Sequence, residues 1–499
     1  MQSAAPTRRV QAYFLLNAAF IVSALVLQVI GGSPNPRLLH VILLFAVCSS
    51  FVIDVDGLNG RYALLALFLS FYFVSFGLGD FNNLAAGVST EAAPSSFSKA
   101  EGVILAGAIM LTLGYRAACR LSSAATPRAA LQRDWSTAMA LTVGVTLWIV
   151  GTLDLFWWNL YVITDASQEA SARGLASLPA LLVAANLLAG LLQPVGILLI
   201  TYVWRARGAS YLLPLVIAIV GIQVVLGFVV NIKSLAMIAG ILVIVTLVLI
   251  DGRFPKAWLA GAVVFGIVVF PIFQASRYEI HGNRQIARTT IIQNLGHIVE
   301  LAIAAESRAY SGGQRAQTLL ERTSVRGSLQ LIVQKTGDDV AFQHGHTMSP
   351  LLAVFIPRIV WSDKYTVSTG LLVNREFHIS DSPDVYISPS IPGELYWNFG
   401  WAGVLVGMTI IGGAVGYIGG RFNLSQAKTV TGLLVVVLTI KQVIVSLEGS
   451  FSPEYVLWLR SLAAVAVLHV LFSRTAVGPP VPATIERAPE ARSFPNLLT

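Results

Sequence analysis

Apolar runs of about twenty residues recur along the chain from end to end, and this constrains its fold more than any other feature. A helix needs about 20 apolar residues to cross the roughly 30 Å hydrocarbon layer of a bilayer. Inside lipid every backbone polar group must be satisfied within the protein, which leaves helices and closed barrels as the spanning structures. The runs here are continuous rather than alternating, so they read as helices. They lie near 11–30, 38–56, 61–79, 100–117, 136–158, 179–204, 211–231, 233–251, 258–276, 395–418, 428–447 and 454–473. The expectation is an all-α polytopic membrane protein with about 12 transmembrane helices. Only 12% of the 499 residues are charged, against roughly 25% in a soluble domain, and mean hydropathy is +0.72. These values exclude a soluble globular protein and a soluble enzyme with one anchor.

The first run follows Arg8-Arg9 and is long. Ile30-Gly31-Gly32-Ser33-Pro34 makes a poor cleavage site, so the run reads as a retained first helix. Two cysteines, Cys48 and Cys119, are too few for a disulfide framework.

Basic residues set the orientation. Arg8-Arg9, Arg61, Arg116/Arg120/Arg128/Arg133, Arg205/Arg207, Arg253/Lys256, Arg421/Lys428 and Arg474 fall on one side if the spans number twelve. The opposite short connections carry Arg37, Lys99, Arg173 and Lys233. Both termini are then cytoplasmic. The chain divides into 1–276 with nine spans, an extracytoplasmic loop domain at 277–395, 396–473 with three spans, and a Pro-rich, polar tail at 474–499 that reads as disordered.

The long loop breaks the pattern of short connections, and loops of this length are usually functional. It holds His281, His297, His344, His346 and His378, five of the seven histidines. It also holds eleven Arg/Lys and eleven Asp/Glu, against 33 and 25 in the whole chain. The plain reading is a cap over the bundle; the functional one puts a site between this loop and the membrane. The loop makes the two halves of the chain unlike, which counts against a transporter built from paired repeats.

Two amphipathic helices are expected in the first half of the loop, separated by Ser311-Gly312-Gly313. Arg315, Arg322 and Arg326 fall within about 40° on the second. They form either a phosphate clamp or, more simply, the solvated face of the helix. Arg277, Arg284 and Arg288 repeat the seven-and-four spacing just beyond the ninth span, at headgroup level, where snorkelling is the plain alternative for Arg277. Further on, Pro350 and Pro357 bracket an apolar segment, with Arg358, Trp361 and Lys364 after it. Glu394, Tyr396 and Asn398 then carry a carboxylate, a phenol and an amide into the tenth span, where polar groups face a cavity or a partner. Gly400, Gly403 and Gly407 permit close helix approach there. Of the other charges near spans, Lys441 and Arg460 read as structural pairs, while Lys233 and Glu448 are candidates to line an outer cavity. His344-Gly345-His346 with Asp338-Asp339 is the one candidate metal cluster, and a polar loop stretch is the simpler reading.

The runs Ile356-Pro357-Arg358, Trp361-Ser362-Asp363-Lys364 and Pro392-Gly393-Glu394-Leu395-Tyr396-Trp397-Asn398-Phe399-Gly400-Trp401-Ala402-Gly403 resemble the signature of bacterial O-antigen or oligosaccharide repeat-unit polymerases. The resemblance is residue-specific over that stretch and topological elsewhere. It implies a membrane-embedded glycosyltransferase of C-type architecture in the bacterial inner membrane, acting on the periplasmic side and needing no metal or other cofactor. The substrate would be an undecaprenyl-pyrophosphate-linked oligosaccharide, whose growing glycan passes to a sugar hydroxyl of the incoming unit. Membrane lipids, a chain-length regulator and a flippase are the expected partners, with no nucleic acid. Fixed cations favour departure of a pyrophosphate; Arg277, Arg284, Arg288, Arg358 and Lys364 are the candidates. The acceptor hydroxyl needs a proton acceptor, and Glu394, His378, Asp381 and Asp384 are the candidates, Glu394 lying inside the motif. Tyr396, Asn398 and Lys233 are candidates for sugar or headgroup contacts. An O-antigen ligase and a lipid-linked oligosaccharide flippase or transporter are the alternatives.

Overall fold

Continuous apolar runs fold as helices, and no strand occurs among the described residues. The computed structural model describes residues 6–32, 35, 37–54, 60–84, 94–123, 134–157, 180–230, 233–251, 255–265, 325–352, 356, 369–380, 385–422 and 429–473. The helices are α1 (Pro6–Ile30), α2 (Leu38–Cys48), α3 (Ala63–Phe73), α4 (Pro94–Ser123), α5 (Thr137–Trp157), α6 (Ala180–Ala206) and α7 (Leu213–Val230). They continue with α8 (Lys233–Asp251), α9 (Lys256–Val264), α10 (Arg326–Lys335), α11 (Thr369–Phe377), α12 (Ile391–Arg421), α13 (Val430–Thr439) and α14 (Phe451–Phe472). Eight stretches are long and apolar enough to cross a membrane, and three shorter apolar helices accompany them. The protein is therefore an all-α membrane protein with many spans. Of the span expected at 258–276 only the start is described, as are only parts of the loop at 277–395.

Two helices depart from regular geometry near their ends, and the two departures meet where Ser75 bonds Glu448. Beyond α3 the chain widens into a π-turn at Val74–Leu78 and a short helix at Gly79–Asn83. Beyond α13 it does the same at Ile440–Ile444 and tightens to a 3₁₀ turn at Val445–Glu448. Such bulges redirect side chains and recur at functional sites.

The core of the bundle is the pairing of α4 with α12. They run side by side in the same direction: Gly107 stands beside Met408, Leu111 beside Gly412 and Tyr115 beside Gly416. A Cβ on Gly412 or Gly416 would stand 2.1 Å or 2.3 Å from a backbone carbonyl of α4, so only glycine lets these helices approach so closely. Gly412, Gly416 and Gly420 repeat at every fourth residue, a signal present in the sequence that the reading of Gly400, Gly403 and Gly407 passed over.

Those three earlier glycines do something else. Phe399 and Gly400 leave helical geometry, Gly400 with φ +59°. In an unbroken helix Leu395 and Gly407 would be about 18 Å apart. Here the Leu395 side chain closes over Gly407 and its carbonyl over Gly403. Ile391–Asn398 is thus a half-helix folded back on the helix that follows Gly400. Glu394, Tyr396 and Asn398 lie on the half-helix, before the break at Gly400.

The helix ends collect into two sets. At one end Arg116 bonds Asp54 (2.6 Å), Tyr115 Oη donates to the Arg61 carbonyl (2.6 Å), Arg207 pairs with Asp134 and Arg205 with Asp251 (2.7 Å). At the other end lie Arg37, Asp80, Lys99, Glu101, α10, the half-helix and the α13–α14 junction, linked by the contacts described below. The second set is called here the loop face.

Candidate functional site at the loop face

The half-helix starts where Ser390, held at φ +61°, caps it by accepting from the Gly393 N–H, with Pro392 in its first turn. This places Glu394 fully inside the protein. Its carboxylate accepts from the Thr347 hydroxyl (2.8 Å) and from the Phe451 N–H (2.6 Å), the free N-terminus of α14. Asn398, one turn on and equally buried, donates to Thr347 Oγ1 (2.7 Å) and to the Glu394 carbonyl (2.8 Å). Its own carbonyl oxygen accepts from the Gly345 N–H (2.9 Å). The Gln343 and His344 N–H groups donate to the carbonyls of Trp397 and Asn398. The motif residues thereby strap the loop turn 343–347 and the start of α14 to the bundle.

Beside this node the α13–α14 junction carries more polar groups. Ser75, from the π-turn after α3, donates to Glu448 (3.0 Å). Ser388 donates to the Glu448 carbonyl, and the Tyr386 and Ser450 hydroxyls bond each other (2.8 Å). Burial pushes the Tyr386 phenol up from its usual value, with the Ser450 contact opposing. The Ser446 hydroxyl lies against the Lys441 carbonyl (3.2 Å) and the Glu454 carboxylate. Lys441, Glu448 and Glu454 are half-buried, in contrast to Glu394.

A second charged cluster fastens α10 to the spans. Arg326 is 5% exposed and pairs with Asp80 and with Glu101 (3.0 Å), while Arg37 pairs with Asp80 (3.0 Å). Burial, with Arg37 alongside, pushes the Arg326 guanidinium down to about 9, which leaves it a cation at neutral pH. Burial also lowers Arg37, against the pull of Glu101. The solvated face expected for Arg326 is therefore corrected. The helix lays this residue inward because two elements present it with carboxylates, Asp80 and Glu101. Spacing on one helix cannot report those partners, which lie on other elements.

The remaining candidates separate. Tyr396 is buried, with the Lys99 ammonium 5.6 Å from its ring and the Trp401 ring edge-on to it. His378 follows α11 in a left-handed conformation (φ +49°) and is exposed. Lys233 opens α8, and its side chain lies outside the described residues, as do Arg277, Arg284, Arg288, Arg315, Arg322, Arg358, Lys364, Asp381 and Asp384. His344 and His346 are exposed, and among the described residues no three His, Cys, Asp or Glu side chains stand close enough to hold a metal ion.

Comparison of the chain with protein-family models, curated proteins and solved structures finds no match.

Proposed function

We propose that the protein is a membrane glycosyltransferase that polymerises lipid-linked oligosaccharide units at the loop face, the periplasmic side of a bacterial inner membrane. One observation carries the reading. The stretch that resembles the polymerase signature, 392–403, is the half-helix and turn that gather the loop and the α13–α14 junction around a polar site at the end of the spans. A lipid-borne pyrophosphate presents its head at that level.

In the reaction the acceptor hydroxyl oxygen bonds the anomeric carbon of the donor sugar. The bond from that carbon to the lipid pyrophosphate breaks, its electron pair leaves with the pyrophosphate, and the hydroxyl proton passes to a base. Arg277, Arg284, Arg288, Arg358 and Lys364 are proposed to stabilise the leaving charge. Glu394 is enclosed and occupied by its donors, so its proposed part is to hold the loop turn and α14 in register. A chain-length regulator and a flippase are the proposed partners.

Deletion of the gene in its host tests the reading. Loss of long surface polysaccharide, with single units still reaching the surface, is the expected outcome. Loss of single units as well would point instead to a ligase or a flippase. Unchanged polymer would reject all three.

A further inference from the structure

Lys441 sits on the extension of α13, the most enclosed of the long apolar stretches, with 83% of its span buried. Its neighbours Gln442, Val443, Ile444 and Leu447 are buried, yet Lys441, Val445, Ser446, Glu448 and Gly449 keep accessible surface. Lys441 lies in the π-turn and the other four in or just after the 3₁₀ turn that follows it. Accessible surface on a stretch otherwise so enclosed leaves an opening beside Lys441 and the start of α14. Glu454, in the first turn of α14, is half-buried too and acts electrostatically on Lys441, although no carboxylate among the described residues lies within ion-pair distance of the ammonium. The π-turn at Ile440–Ile444 re-aims Lys441.

A second observation points to an occupant. Gln442 Nε2, Ser452 Oγ and Tyr455 Oη come from the two segments that bear Lys441 and Glu454. All three residues are more than nine-tenths buried, and these atoms have no hydrogen-bond partner. Orphaned polar atoms are costly in a protein interior and more so at membrane depth. A cation, carboxylates, hydroxyls and an amide together offer donors and acceptors in mixture. A phosphate would meet Glu448 and Glu454 and be repelled. A polyhydroxylated ligand fits, because each of its hydroxyls both donates and accepts.

We propose that the cleft between the α13 extension and the first turn of α14 binds the acceptor sugar, with Glu454 taking the proton of the attacking hydroxyl and Lys441 holding Glu454 and the sugar in place. The assignment of Glu454 rests on the polymerase reading; the sugar site does not. The hydroxyl oxygen bonds the anomeric carbon, the pyrophosphate leaves with the bonding pair, and the proton on Glu454 passes on to water.

Two measurements test this. The first uses the full-length wild-type protein in phosphatidylcholine nanodiscs and asks whether octyl glucoside protects Lys441 from an amine-reactive reagent, scored by mass spectrometry. Protection is expected, with none from an octyl polyoxyethylene ether lacking the sugar. Equal protection by both, or by neither, overturns the sugar site, and no variant has to fold for that result. The second follows chain extension on lipid-linked units extracted from the deletion strain. Glu454→Gln should slow it by about a hundredfold or more, the usual contribution of a general base, with octyl glucoside protection retained. Glu454→Asp should keep part of the rate with a shifted pH profile. Extension at the wild-type rate by Glu454→Gln overturns the assignment of Glu454. If the deletion leaves polymer unchanged while Lys441 is still protected, the polymerase reading falls with Glu454's role and the sugar site stands.

Discussion

Glu394 and Arg326 are both buried charges at the loop face, and they are stabilised in opposite ways. Glu394 is enclosed by neutral donors, a hydroxyl and the N–H at the start of a helix. Arg326 is enclosed by ions, with Asp80 and Glu101 as partners and Arg37 closing the cluster. The neutral shell depends on exact placement of backbone and adds no further charge that must stay paired. The ionic shell ties α10 to three other elements, but each member becomes a liability if another is lost, since breaking a buried pair costs more than the pair contributes. The half-exposed pairs at the opposite end, Arg205–Asp251 and Arg207–Asp134, are the weak kind, worth about 0–1 kcal/mol each.

The largest effect is expected at the ionic shell. Arg326→Met leaves Asp80 and Glu101 short of a cation and should cost about 3–5 kcal/mol, seen as a large fall in the midpoint of thermal unfolding in detergent. Adding Glu101→Leu to that variant should recover part of the loss, because the double change removes both charges. Additive losses would show that the pair is not coupled and would dissolve the contrast with Glu394.

Next comes the neutral shell. Glu394→Ala strands the Thr347 hydroxyl and the Phe451 N–H and should cost about 1–3 kcal/mol for each donor left unsatisfied. Glu394→Gln keeps one acceptor and should cost less, about 1 kcal/mol, with long polymer still made. A stable Glu394→Gln protein that makes no polymer would instead assign Glu394 the proton-accepting role that its place in the motif suggests. The smallest effect belongs to Thr347→Val, which removes one hydroxyl from the Glu394 shell and should cost about 1 kcal/mol without changing the unfolding of the Arg326 cluster variants.

Much of this was legible beforehand. The helical, many-span character follows from run length, and the polar character of the loop from its concentration of charge. The density of polar and aromatic residues at 392–403 in an apolar setting marks a stretch that ties other segments together, as its hydrogen bonds do. The break at Gly400 was not legible, because glycine there reads equally as a packing residue in a straight helix; only the contact of Leu395 with Gly407 shows that the chain reverses. Lys441 reads in sequence as half of a structural pair, and among the described residues no carboxylate lies within ion-pair distance of it. The burial of Arg326 was likewise hidden, since its partners at 80 and 101 are more than two hundred residues away.

The sequence by itself determined that this chain crosses a membrane many times as helices, because a backbone in lipid has almost no other way to satisfy its polar groups. It also determined that the stretch 277–395 is rich in charge. The tertiary structure decided which of those charges are sealed and which stand open. That depends on whether a carboxylate meets a helix N-terminus, a guanidinium or a cleft, and such meetings join residues that no periodicity connects.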